Sequence, residues 1–239
     1  MRSRITLPLV SFLLITSAVA CTSKEPPKVA EVSTQRAPRQ SRASGPSISA
    51  EIGALPEAAV QTAFKAVMPT VSECLKEGRR SIYFLAGMLQ AEIRVAQDGR
   101  ARWVHAKRST FGHRATEKCI LDALGAQQWP RPVGGQNGIA TQHFEIDTSE
   151  RPPVSWSPAQ IGKEGAKLEQ AIDECRKQAG SAALSLTMYI NVDGKPMAAG
   201  GASSEAQGRE VIDCAVEAAM KRVYNSPGSY PAKVSLQRP

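Results

Sequence analysis

The stretch LQAEIRVAQDGRARWVHAKRSTFGHRATEKC, residues 89–119, decides the fold because the chain contains its pattern twice. A shift of 95 residues brings LSLTMYINVDGKPMAAGGASSEAQGREVIDC, residues 184–214, onto it. Leu184 then matches Leu89, Ile190 matches Val95, Asp193-Gly194 matches Asp98-Gly99, Ser204 matches Ser109 and Cys214 matches Cys119. In the first copy Leu89, Ala91, Ile93 and Val95 alternate with polar neighbours, the period of a strand buried on one side. Asp98-Gly99 is a strong hairpin turn signal. Ala101 to Lys107 returns as a second strand, and its apolar parity slips near Val104 and Ala106, so a bulge is expected there. Arg114 to Ala126 reads as a helix with Cys119, Ala123 and Leu124 inward or nearly so, Trp129-Pro130 ends it, and Ile139 to Ile146 reads as a closing strand. The second copy alternates through Leu184, Leu186, Met188, Ile190 and Val192, turns at Asp193-Gly194, and places Pro196 where an edge strand tolerates it. Val211, Cys214 or Ala215, Ala218 and Arg222 mark its second helix. Tyr224 falls opposite Trp129, and Ala232, Val234 and Leu236 close the copy.

A helix precedes each core stretch. Val60, Phe64, Val67, Val71 and Cys74 or Leu75 recur at helical spacing, with Pro56 at a favoured first position and Pro69 expected to kink or split the run. Leu168, Ala171, Ile172 and Cys175 give the counterpart. The fold class is therefore α+β, as two tandem small domains at 51–147 and 159–239. Each runs helix, strand, strand, helix, strand, with a short antiparallel sheet. Residues 148–158, with Pro152, Pro153 and Pro158, read as a short stiff linker.

Residues 1–20 have Arg2 and Arg4, an apolar run from Ile5 to Ile15, and small residues before Cys21. That is the layout of a secretory signal, too short for a comfortable membrane span. Ala18-Val19-Ala20-Cys21 resembles the bacterial lipobox, which implies lipidation of Cys21 and a cell-envelope location, with Thr22 after it favouring the outer membrane facing the periplasm. Residues 21–50 are rich in Ser, Pro, Ala and cations, without apolar periodicity, and read as a disordered basic tether. Its plain reading is a solvated spacer; the sharper one is a tail resting on anionic lipid or cell-wall polymer.

Five cysteines become four once Cys21 is set aside. Each repeat holds two, one on each of its helices, and the repeat selects Cys74–Cys119 and Cys175–Cys214, since other pairings join the copies asymmetrically. Export suits such bonds. No Cys-x-x-Cys spacing exists and the second repeat has no histidine, so a metal site is not expected, nor any other cofactor. The formal charge of +8 divides into +2 for 1–21, +3 for 22–50, +1 for 51–150 and +2 for 151–239. With only 5% aromatic residues, the nearly balanced folded part gives no footprint for nucleic acid.

Together, the helix with Cys74, "IRVAQDGRA", "AKRST", "EKCILDAL" with "WPRP", and "MYINVDGKP" with "IDCAVEAA" resemble the C-terminal domain of TonB-type energy transducers. They are more similar to the cysteine-containing relatives in myxobacterial envelope and gliding-motility proteins. The resemblance spans nearly all of both repeats. It implies a small sheet whose edge accepts a partner strand. Val223-Tyr224 replaces the Trp-Pro in the second copy, and energy transduction is not carried over.

The expected function is a non-catalytic envelope lipoprotein acting as a protein- or cell-wall-interaction module, with an envelope protein or peptidoglycan as partner. The alternative is an envelope enzyme with a site in the first repeat. Arg94, Arg100, Arg102, Lys107 and Arg108 gather on one hairpin with little equivalent in the second copy, and form the candidate binding face. His105, His113 and His143 all lie in the first repeat; their plain reading is scattered rim histidines. Ser109-Thr110 and Ser203-Ser204 more simply shape the turns into the second helices. Gly200-Gly201 lacks the surrounding pattern of a nucleotide-binding loop.

Overall fold

The alternation at Leu89–Val95 folds as strand β2 (Gly87–Ala96), and the Asp98-Gly99 turn returns the chain as β3 (Ala101–Ser109). In this computed structural model the described residues are 50–148, 150–179 and 183–239. The residues read as a signal peptide, Cys21, and those read as a tether up to residue 49 lie outside them. Before the hairpin come β1 (Ala50–Ile52) and α1 (Glu57–Ser81); after it come α2 (Arg114–Ala126) and β4 (Gly135–Ile146). The second repeat supplies β5 (Val154–Trp156), α3 (Lys163–Ala179), β6 (Leu184–Ile190), β7 (Pro196–Ser203), α4 (Arg209–Met220) and β8 (Ala232–Arg238). Two four-stranded sheets result, ordered β1-β4-β2-β3 and β5-β8-β6-β7. The outer strands β1 and β5 pair in parallel with β4 and β8, while the remaining ladders are antiparallel.

Each sheet therefore has one more strand than the sequence pattern announces, because a three-residue strand is too short to show alternation. The 148–158 stretch, read as a linker, contributes β5, and Trp156 packs against the second core. Pro69 does not split its helix. It sits on the exposed side of a continuous α1, where water can serve the carbonyl that loses its amide partner. Helix α4 stops at Met220, short of Arg222. Pro196 opens β7, an edge strand, where its missing N–H costs no ladder bond.

The repeat extends to individual hydrogen bonds. Gly99 N–H donates to Ala96 O at 2.9 Å and Gly194 N–H to Asn191 O at 3.0 Å; Trp129 N–H meets Gly99 O and Tyr224 N–H meets Gly194 O, both at 2.8 Å. The Trp129 indole then donates to Leu124 O at 3.1 Å, and the Tyr224 hydroxyl to Ala219 O at 2.9 Å. Each pair lies 95 residues apart. The turn glycines have φ of 84° and 79°, and a Cβ at either would stand 2.4 or 2.2 Å from the carbonyl oxygen of Trp129 or Tyr224, so only glycine fits.

The expected bulge is present. Ala91 faces Ala106 but Gln90 faces Arg108, leaving Lys107 as the extra residue, and a second slip leaves Arg102 unopposed. In the second repeat Ser185 faces Ala202 and Leu184 faces Ser203 without the inner slip. The structural partner of Ser109 is thus Ser203, one residue before the Ser204 of the sequence match. Both hydroxyls accept from the amide two residues on, Phe111 N–H and Glu205 N–H, each at 3.2 Å.

Phe64, Val71, Leu89, Ile93, Ile120, Leu124 and Trp129 build the first core; Leu168, Ile172, Leu186, Met188, Val211, Tyr224 and Val234 build the second. One disulfide joins the two helices of each repeat, Cys74–Cys119 and Cys175–Cys214. Cys74 is buried, whereas Cys119, read as inward or nearly so, is exposed on α2. A third cluster crosses the copies: Ile82, Phe84 and Leu85 of the first pack on Tyr189 and Ala198 of the second.

Candidate functional site

The two edge strands β3 and β7 lie against each other without forming a ladder. What joins them is Glu117. It sits in the first turn of α2 and is fully buried. Its carboxylate accepts from the Ser109 hydroxyl at 2.6 Å and from the Gly201 backbone N–H of β7 at 2.9 Å, with the Arg114 guanidinium 3.8 Å away. Burial raises the Glu117 carboxyl above its ordinary range, opposed by these donors. Gly200 allows the approach, since a Cβ there would stand 2.6 Å from His113 N and 2.7 Å from both Glu117 oxygens. Arg114 also donates to Asp213 at 2.7 Å, and Arg209, its equivalent in the second repeat, donates to Asp122 at 3.1 Å. Neither Glu117 nor the use of Gly200-Gly201 was visible in the sequence. A glutamate in a helix's first turn reads as solvated, and its true partner is 84 residues away.

A cleft of about 870 Å³ opens where the end of β3 meets the outer face of the second sheet. Its floor is hydroxyl-rich, with Ser185, Thr187 and Ser235, the last two bonded to each other at 2.7 Å. Gln237 and Ser204 extend it, and Lys107, Arg108 and Arg238 bring cations. The hairpin cations do not form one free face. Arg94 is ion-paired with Glu51, Lys107 with Glu92 at 2.9 Å, and Arg100 lies 3.9 Å from Asp98. Arg102 reaches Asn137 Oδ1 at 3.5 Å. Arg108 is exposed and has no ion-pair or hydrogen-bond partner among the described residues. Of the five candidates, only Lys107 and Arg108 reach the cleft, carried there by the bulge at Lys107. Arg238 is held by Asp173 and Glu169 of α3.

The histidines do not converge. His143 lies opposite Gln90 and His105 opposite Glu92, on strands that flank β2. His105 is 6% exposed, stacks edge-on against Trp103, and neither ring nitrogen makes a well-formed hydrogen bond among the described residues. Burial holds its pKa below the ordinary value. His113 caps α2: Nδ1 accepts from Thr116 N–H, and Nε2 lies 3.1 Å from the Ser81 hydroxyl. That contact resembles a serine–base pair, but the Ser81 hydroxyl donates to Gly78 O at 2.9 Å, so its proton is directed at the helix carbonyl and not at the ring. The other ring nitrogen, Nδ1, also lies 2.7 Å from the Thr116 hydroxyl. Among the described residues no group of three or more His, Cys, Asp or Glu is placed to hold a metal ion, and no helix is long and apolar enough to cross a membrane.

No family model matches the chain, and neither does any curated protein or solved structure.

Proposed function

We propose that this protein is a non-catalytic envelope lipoprotein, anchored through Cys21, that works as an interaction module and takes an anionic segment of its partner into the cleft between the repeats. The observation that carries this reading is the cleft itself, with Arg108 unpartnered among the described residues at its rim beside a row of hydroxyls. Hydroxyls and an amide donate to and accept from an extended polar chain, and a cation without an internal counter-ion lacks only the carboxylate. Among the described residues no aromatic ring lines the cleft, so a sugar would find none of them to stack on. Carboxylate-bearing peptide, whether in a protein or in the stem of peptidoglycan, fits better.

The TonB-like reading supports a second contact. Edges β3 and β7 are turned toward each other, but β1 pairs with β4 only at Gly135 and Asn137. Beyond Asn137 no strand flanks that side of β4 among the described residues, which leaves it open to strand addition. The enzyme alternative would rest on Ser81 and His113, and the Ser81 hydroxyl, engaged with Gly78 O, disfavours it.

Co-sedimentation with purified peptidoglycan tests the proposal. Replacing Lys107 and Arg108 by Ala should weaken binding roughly tenfold, and added salt should weaken the wild type in the same way. Unchanged binding, or binding indifferent to salt, would remove the cleft from the account.

A further inference from the structure

Five of the chain's twelve aromatic residues gather at a second site, independent of the cleft reading: Tyr83, Phe84, Trp156, Tyr189 and Tyr230. A pocket of about 370 Å³ lies among them, lined by Phe84, Pro152, Pro153, Trp156, Tyr189 and Lys233. Lys233 projects from β8 beside Tyr189 on the outer face of the second sheet. Its Nζ donates to Ala86 O at 2.7 Å and sits 5.1 Å from the centroid of the Tyr189 ring. The same carbonyl accepts from the Tyr189 hydroxyl at 3.2 Å. No carboxylate pairs with Lys233 among the described residues; Glu117 acts on it only through the field.

Half-buried and without a carboxylate partner among the described residues, the Lys233 ammonium has only the Ala86 carbonyl and the Tyr189 face in place of the water it loses, so its neutral amine is favoured relative to that of an exposed lysine. Burial pushes its pKa down to about 8, in agreement with that placement. The neighbouring rings and prolines offer apolar contact to a flat ligand, and Tyr189 O–H is a donor within the same wall.

We infer that Lys233 is an amine nucleophile, and that the pocket takes a small aromatic aldehyde whose carbonyl carbon it captures as an imine. The Nζ lone pair forms the C–N bond while the carbonyl π pair moves to oxygen. Proton transfer from nitrogen to that oxygen gives the carbinolamine. Loss of water then breaks the C–O bond and leaves the C=N bond, with no change of oxidation state.

The test is competitive labelling of the folded full chain with benzaldehyde at pH 7.5, trapped with cyanoborohydride and mapped by peptide mass. Lys233 should label at least about tenfold faster than the exposed Lys65, Lys76 and Lys221, since far more of it is neutral at that pH. The preference should vanish when the reduced chain is labelled in urea. Lys233→Arg, which keeps a donor for Ala86 O, should remove the fast adduct and leave the slow ones. Lys233 labelling no faster than the exposed lysines overturns the inference, as does a preference that persists in the unfolded chain. Should the Arg variant fail to fold, the wild-type map in its two states still decides.

Discussion

At Glu117 a buried carboxylate bridges the two repeats, and its surroundings make the effect of changing it computable. Glu117→Ala would strand the Gly201 N–H and the Ser109 hydroxyl in a buried site, where each unmet polar group costs about 1–3 kcal/mol. A loss of about 2–4 kcal/mol in chemical denaturation is expected. Gly200→Ala should lose a similar amount from the other side of the contact, because its Cβ has no room against His113 N and the carboxylate. The pH dependence has a definite sign. Glu117's folded pKa is raised above the ordinary 4.5, so between the two values the folded state binds more protons than the unfolded one, and stability falls as pH rises through that window. Comparing wild type with Glu117→Gln from pH 4 upward should show the wild type losing ground as pH climbs; a gap constant with pH would contradict the assignment. None of this was legible beforehand, because burial imposed by a segment far along the chain leaves no local period to read.

The elements were more open to reading. Strands β2 and β6, the two Asp-Gly turns and the four main helices follow from periods of 2.0 and 3.6 residues, which are properties of a few consecutive side chains. The match of Tyr224 with Trp129 holds because both side chains close the same turn by donating to a carbonyl five residues back. Tyr224→Phe removes only that donor and should cost about 1 kcal/mol, measured as a shift of the denaturation midpoint with unchanged m-value. The disulfides close loops with sequence separations of 45 and 39 residues. Replacing either pair with alanines should cost about 4 kcal/mol by loop entropy. Non-reducing peptide maps should show only Cys74 with Cys119 and Cys175 with Cys214 among these four. What the pattern missed was short or insertional: β1 and β5 are three residues each, and the single extra residue at Lys107 shifts the serine match from Ser204 to Ser203. The basic hairpin looked continuous in the sequence because cations were counted without their counter-ions, which come from Glu51, Glu92 and Asp98.

At the scale of the whole molecule the copies have diverged in a physically consistent way. The outer face of the second sheet carries Thr187, Ala198, Gly200 and Ala202, small enough for the first repeat to pack upon. The corresponding positions of the first sheet carry Glu92, Trp103, His105 and Arg108. Shared buried groups, from Phe84 on Tyr189 to Glu117 on Gly201, couple the repeats. Thermal unfolding with disulfides intact should therefore show one transition, with calorimetric and van't Hoff enthalpies equal; two separable transitions would mean the shared contacts contribute little. This packing creates the cleft, which belongs to neither copy alone. A photo-crosslinking amino acid placed at Arg108, with the exposed Lys221 just past α4 as the control position, addresses the cleft directly in intact cells. The account predicts a discrete crosslinked partner from position 108 and none from position 221. No adduct at 108, or the same adducts from both positions, would contradict it.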